Sequence, residues 1–488
     1  LIAGYDPASS RTKDAAQRSE AGAVLDGSAS SDGGPREVGT IVDASTPVDS
    51  QWLKAIHSPA TITKPLVAVD SNSGRVIVAL AFTQKVDPGN GSYLSSTGDA
   101  DILLAAYDSA GKLLWKKVFG DATAQHPTGL AVDKKGNIVL AGDMGGKVNF
   151  GGGLLESAGG GDVFIASFSA SGAYKWSKIF GLFWSERVYA FTVDGAGNSY
   201  LAGGTNKGQD FGGGNLDTSN DANMFLASFD SKGAHRWSKA LGGDGPRPSD
   251  LERIEAMAFD EKNNRLLLAG SFDDTVDLGG SELVSAGGKD IFLASFSVDG
   301  KHLWSKRFGS TANDSPTGIA VDLDGNTHVV GDYSEAIDFG GASLPIKGYD
   351  TFLASFDKGG NHRWSRSMVS SSSTASLAVA TNGHGDVLVT GEVFQVSGQT
   401  IDPGGGPLVL KSSKDAFFAR YNTAGDHILS FAFGSDGADQ GTSLASTPDG
   451  GTILVGTFRN SLTVERETVT SEGSSDTFLL YLPENLRP

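Results

Sequence analysis

Eight histidines, 57 acidic residues and no cysteine are the groups with which this chain of 488 residues could do chemistry. The missing thiol removes disulfides, thiolate nucleophiles and thiolate metal ligands. Four of the histidines, His235, His302, His362 and His427, each stand two residues before a Trp or before the Leu that replaces it, as in "KHLWSKRFGS" (301–310). A group repeated at one position of a repeat is spread around an assembly and does not converge on one reacting atom. These four are therefore expected to be exposed outer-strand residues without a catalytic role. His57, His126, His328 and His384 show no H-x-x-x-H spacing, so no metal site is expected from them.

An Asp precedes an apolar "FLASF"-like strand six times, at Asp101, Asp162, Asp290, Asp350, Asp415 and Asp476, with Asn223 in a seventh copy. Carboxylates beside loop carbonyls are hard-cation ligands, but the dense D-x-D-x-D-G spacing of a calcium loop is absent. A carboxylate that accepts N–H groups of its own turn is the expected role. Runs such as "FGGG" (211–214) are not phosphate loops, because no helix follows to supply an N-terminus. There is neither a Gly-x-Ser-x-Gly elbow nor a single-copy His beside a recognisable nucleophile. No cofactor and no enzymatic activity are expected.

Binding chemistry belongs where the repeats differ. "GLFWSERVY" (181–189) puts Phe183, Trp184, Glu186 and Arg187 where other copies carry small polar residues. "GGDGPRPSDLER" (242–253) is an expanded loop with Asp244, Arg247, Asp250 and Arg253. An aromatic beside charged groups suits sugar or peptide recognition, and Trp184 folded back as an apolar plug is the competing reading. His126 belongs to the same candidate surface, and Asn313, Asp314, Asp436 and Asp439 lie in equivalent loops as a polar rim.

The elements that must position these residues repeat seven times. Trp52, Trp115, Trp176, Trp237, Trp304, Trp364 and Leu429 follow one another at intervals of 63, 61, 61, 67, 60 and 65 residues. Each unit reads as four short strands: a strand ending at a turn such as "GLAVDKKGN" (129–137), a second such as "IVLAGD" (138–143), a glycine-rich excursion, the "FLASF" strand and the Trp strand. Such units with no helix between them predict an all-β, seven-bladed β-propeller over residues 51–488. The last copy lacks its Trp strand, whereas "QWLKAIHS" (51–58) is a Trp strand with no unit before it. The N-terminal strand is expected to complete the C-terminal blade and close the ring. Each Trp is expected to be a structural staple between blades. Residues 1–50, rich in Ser, Asp, Gly and Ala, read as a low-complexity tail or tether.

The pattern D-x-F-x-A-x-F-x-x-x-G-x-x-x-W followed by G-x-A-V-D-x-x-G-N resembles the SBBP-type seven-bladed propeller repeats of bacterial exported proteins, over about 438 residues. The resemblance implies a surface or secreted protein. "LIAG" at the start resembles the residues before the lipidated Cys of bacterial lipoproteins, with Tyr5 in the place of that Cys, so export to the outer surface is expected and lipid anchoring is left open. A net charge of −18 opposes nonspecific binding to nucleic acid or anionic membrane, and no run reaches the roughly 18 apolar residues of a membrane span. The leading expectation is an exported, non-enzymatic module binding a protein or glycan on a cell surface. A structural subunit that assembles with copies of itself through residues 1–50 is the alternative, and a polysaccharide-active hydrolase is the third reading.

Overall fold

Two strands of each unit are near-continuous apolar runs, as in Val76–Phe82 and Asp101–Tyr107, and every residue of that pair is buried. A strand covered on both faces reads this way, whereas one with a solvent face alternates. The computed structural model describes residues 51–486 apart from 64, 183–185, 205–207, 217–223, 243–251, 347, 371–373, 395–400 and 413. It places these strands at the centres of seven antiparallel four-stranded sheets, one extended by the short strand Ile401–Asp402. The propeller is all-β, as expected.

Blades are numbered by their innermost strands: Leu66–Val69 for blade 1, Gln125–Val132 for 2, Arg187–Val193 for 3, Arg253–Asp260 for 4, Asp314–Val321 for 5, Thr374–Thr381 for 6 and Gln440–Ser446 for 7. Each innermost strand touches the next, and that of blade 7 returns to that of blade 1, closing a ring around a central channel. The closure is made by Trp52–Ile56, which pairs antiparallel with Asp476–Leu482 in the register Trp52 to Tyr481 and becomes the outermost strand of blade 7.

The tryptophans staple neighbouring blades. Trp52, Trp115, Trp176, Trp237 and Trp364 each donate their indole N–H to a turn carbonyl of the following blade, at 2.8–3.2 Å. At Trp304 the corresponding carbonyl, that of Lys358, accepts the Arg265 guanidinium instead, and the indole N–H has no hydrogen-bond partner. The Asp residues before the "FLASF" strands are turn caps, as expected: Asp162 accepts the Ala158 N–H at 2.8 Å, Asp290 that of Ala286 at 2.8 Å and Asp476 that of Glu472 at 2.9 Å.

The repeated histidines depart from expectation. His235, His302, His362 and His427 are half-buried, because the glycine-rich excursion of each blade folds back over the outermost strand. Their rings meet Phe229, Phe296, Phe356 and Tyr421 edge-on at 5.7–6.5 Å. The glycines lie so close that a Cβ on Gly213 would come within 2.2 Å of the His235 ring. Burial pushes His302, His362 and His427 below the usual histidine range, and it does the same to His328 against the opposing effect of the hydrogen bond it donates to Asp322. A depressed histidine contributes stability that is complete above the unfolded value of about 6.5 and is lost as pH falls through the folded value. The melting temperature is therefore expected to fall between pH 7.5 and 5.5 by more in the native chain than in a His302→Gln, His362→Gln, His427→Gln variant. Calorimetry of both across that range checks this, and the difference between them cancels the carboxylates. An equal fall in both would contradict it.

Candidate binding site at the channel mouth

Every innermost strand from blade 2 to blade 7 carries a bulge at one position, between Pro127 and Gly129, Val188 and Ala190, Ile254 and Ala256, Pro316 and Gly318, Ser376 and Ala378, and Gly441 and Ser443. A bulge inserts one residue and re-aims it relative to the period-2 alternation. The inserted residue is Thr128, Tyr189, Glu255, Thr317, Leu377 or Thr442 in turn, so blades 3, 4 and 6 differ from the Thr that the other three carry.

Two residues upstream of each bulge, His126, Arg187 and Arg253 occupy one register position in blades 2, 3 and 4, opposite Asp143, Gly204 and Ser271. The Arg253 guanidinium lies over the Tyr189 ring at 4.0 Å, and its Nε is 3.5 Å from Glu255 Oε1. A cation stacked on an aromatic face and flanked by a carboxylate is held in one orientation. Arg187 is exposed beside this group. Burial pushes the Asp143 carboxyl up, while the His126 and Arg187 charges draw it down, which places all three near one another. The arrangement can present oriented N–H donors to an anionic group, and Arg is the side chain best shaped for carboxylate.

Of the residues expected from sequence to form the surface, His126, Arg187 and Arg253 come together here. Phe183, Trp184, Asp244, Arg247 and Asp250 lie outside the described residues. Glu186 does not belong to the surface: it is fully buried and accepts the Leu182 N–H at 3.1 Å, capping its own loop. Asp314 and Asp439, placed on the rim by sequence, are buried caps of the same kind, accepting the Ser310 and Ser435 N–H groups at 2.7 and 2.6 Å. Asn313 is exposed and accepts the Lys289 N–H at 2.9 Å, and the exposed Asp436 accepts from Asn460 at 3.4 Å. Tyr189, Glu255 and Asp143 were missed, because the repeats align by eye only from the residue after the bulge. Comparing "HPTG", "RVYA", "RIEA" and "SPTG" one column earlier exposes Tyr189 and Glu255 as the departures from Thr.

Among the described residues no group of three His, Asp or Glu is placed to hold a metal ion, and no helix is long and apolar enough to cross a membrane. The family model that matches is the SBBP β-propeller repeat, over residues 303–332, from the outermost strand of blade 4 into blade 5. One SBBP repeat thus lies within the seven-bladed β-propeller. The chain is similar to an uncharacterized WD repeat-containing protein of Acanthamoeba polyphaga mimivirus, at 21% identity over 450 residues, covering 75% of this chain and 32% of the viral protein. It is also similar to the regulatory protein FlaEY of Caulobacter vibrioides, at 33% identity over 122 residues, covering 24% of this chain and 12% of that one. The chain thus spans about a third of the first relative's length and about an eighth of the second's. Among solved structures, the Pan2 WD40 domain of Neurospora crassa matches at 10% identity with a TM-score of 0.44, covering 88% of this chain and 91% of that one.

Proposed function

We propose that this propeller is a protein-binding module that takes an acidic segment of its partner at the channel mouth of blades 2, 3 and 4. The observation that carries the reading is the stacked Arg253, on the bulged Tyr189, beside the exposed Arg187 in a chain whose net charge is −18. Basic groups gathered on an acidic molecule mark where an anionic partner is tolerated and steered. A polypeptide is favoured over a glycan because the Tyr189 face that a sugar ring would stack on is already covered by Arg253 at 4.0 Å. A bacterial surface setting belongs to the same proposal, supported by the resemblance of the repeats to those of exported proteins and by the Ser-, Asp- and Gly-rich composition of residues 1–50.

Selection from a peptide display library is expected to return sequences rich in Asp and Glu. Binding of a selected peptide should weaken at least about tenfold, or about 1.4 kcal/mol, in an Arg187→Ala, Arg253→Ala double variant, and should fall with added salt. The double variant should melt within about 2 °C of the native chain, since both side chains are partly exposed. Unchanged peptide affinity in the folded double variant would remove the mouth from consideration.

A further inference from the structure

On the face opposite the channel mouth, an arginine reaches from one blade to a backbone carbonyl of the next after blades 1, 4, 5 and 6. It comes from one of three repeat positions: the last residue of the turn after the innermost strand, the residue before the repeated Trp, or the penultimate residue of the "FLASF" strand. Arg75 serves blade 1 from the first position, reaching the Ala170 carbonyl at 3.1 Å across the junction. Lys175 of blade 2 and Arg236 of blade 3, both at the second position, bond within their own blades instead, to Asn137 Oδ1 at 2.8 Å and to the Tyr200 and Ser228 hydroxyls at 2.9 Å. Arg265 serves blade 4 from the first, on Asp260 at 2.8 Å and the Gly325 carbonyl at 3.2 Å. Arg363 serves blade 5 from the second, on Ser355 at 3.0 Å and the Thr423 carbonyl at 3.3 Å. Arg420 serves blade 6 from the third, on Asp386 at 2.8 Å and the Glu484 carbonyl at 2.7 Å.

At the seam between blades 7 and 1 the three positions hold Gly451, Gln51 and Tyr481, none of them basic. Glycine is required at the first, because a Cβ there would lie 2.6 Å from the Tyr481 ring. In place of the missing cation is a cleft of about 250 Å³ with a floor of Val76 and Ile453 and walls that include Asn72, Ser73, Asp449 and Tyr481. Asp449 accepts the Tyr481 hydroxyl at 2.9 Å. Against the upward push of partial burial, this bond and others from Thr447 and Gly451 hold its carboxyl below the usual range, so it stays ionised at neutral pH. A carboxylate keeps acceptor capacity beyond these donors.

We propose that the seam cleft binds a guanidinium group, supplied from outside the ring in the place that Arg75, Arg265 and Arg420 fill at other junctions. The apolar floor takes the methylenes and Asp449 takes the charged head, the division of labour that long basic side chains use elsewhere. The volume suits one side chain, being below the range of about 300–1,000 Å³ usual for drug-sized ligands. The same chemistry is offered by an arginine of a polypeptide and by a free small guanidine.

Isothermal titration calorimetry with agmatine and with acetyl-Gly-Arg-Gly-amide tests this on the full chain. Both ligands are expected to bind, with affinity at least about tenfold weaker in Asp449→Asn, a change at an exposed position that leaves packing intact. Tyr481→Arg restores a cation at the position of Arg420 and is expected to abolish binding of both. Tighter binding of the peptide assigns the cleft to a polypeptide partner, and tighter binding of agmatine to a free guanidine; either supports the site. Equal heats for the native chain and Asp449→Asn overturn the proposal whether or not Tyr481→Arg folds.

Discussion

Removing residues 51–58 is expected to abolish the folded ring, so that the truncated chain unfolds without a cooperative transition or aggregates. Trp52, Leu53 and Ile56 are 6%, 4% and 1% exposed, and they lie in two different core clusters on the faces of blade 7. Each such side chain contributes about 1.5–3 kcal/mol by burial. Three of them represent a large share of a typical total stability of about 5–15 kcal/mol. Trp52 also stacks on Tyr481 at 5.9 Å and donates to the Ser109 carbonyl of blade 1 at 3.0 Å, so its loss opens the ring as well as stripping one blade. His57 and Ser58 bind the Asp476 carboxylate at 2.7 and 3.0 Å, and without them that buried cap loses two donors. The freed edge of Asp476–Leu482, apolar and aromatic from Phe478 onward, is a template for pairing with another chain. Urea denaturation and size-exclusion chromatography check the result, with a chain lacking residues 1–45 as the control expected to melt like the native one. A truncated chain that melts cooperatively at the native midpoint would show that the strand contributes nothing to closure.

Gly425→Ala is expected to destabilise the propeller by about 3 kcal/mol or more, a large loss for one methyl group on a turn. Gly425 has a φ of +81°, and a Cβ there would lie 2.5 Å from Trp364 Cδ2. The left-handed conformation alone costs a non-glycine residue about 1–2 kcal/mol. The remainder comes from displacing a Trp that is 8% exposed and packed in the core of its junction, where full loss of such a side chain costs about 3–5 kcal/mol. Gly91 separates the two effects, because its φ is +73°, close to that of Gly425, and a Cβ added there would meet nothing within 4 Å. Gly91→Ala should therefore show the strain term alone. Urea midpoints for both variants decide the matter, and equal losses would mean that the Trp–Gly contact carries no energy.

The seven-fold count, the strand order within a blade and the closure between the chain's two ends were legible without a structure. The reason is physical: a blade cannot bury its faces alone, so each copy must repeat the same apolar strands, the same turn Asp and the same Trp. Those constraints act within one unit and leave a period of 60 to 67 residues. The turn role of Asp162 and Asp290 was legible for the same reason, being a contact between residues four apart.

What the period could not report is anything decided by a neighbour or by a break in alternation. The half-burial of His302 depends on an excursion from elsewhere in its blade folding over it, and Glu186, which read as a site residue beside Trp184, is drawn inward as a cap. Tyr189 faces Arg253 because two adjacent blades each insert one residue at a bulge, and a bulge is invisible to a rule of period two. The basic residues of the junctions come from three unrelated columns of the repeat, so no column shows the pattern by itself. Only the closed ring, which sets each blade against the next, reveals that arginines cross four of the junctions and that at the seam between blades 7 and 1 these three positions hold no cation.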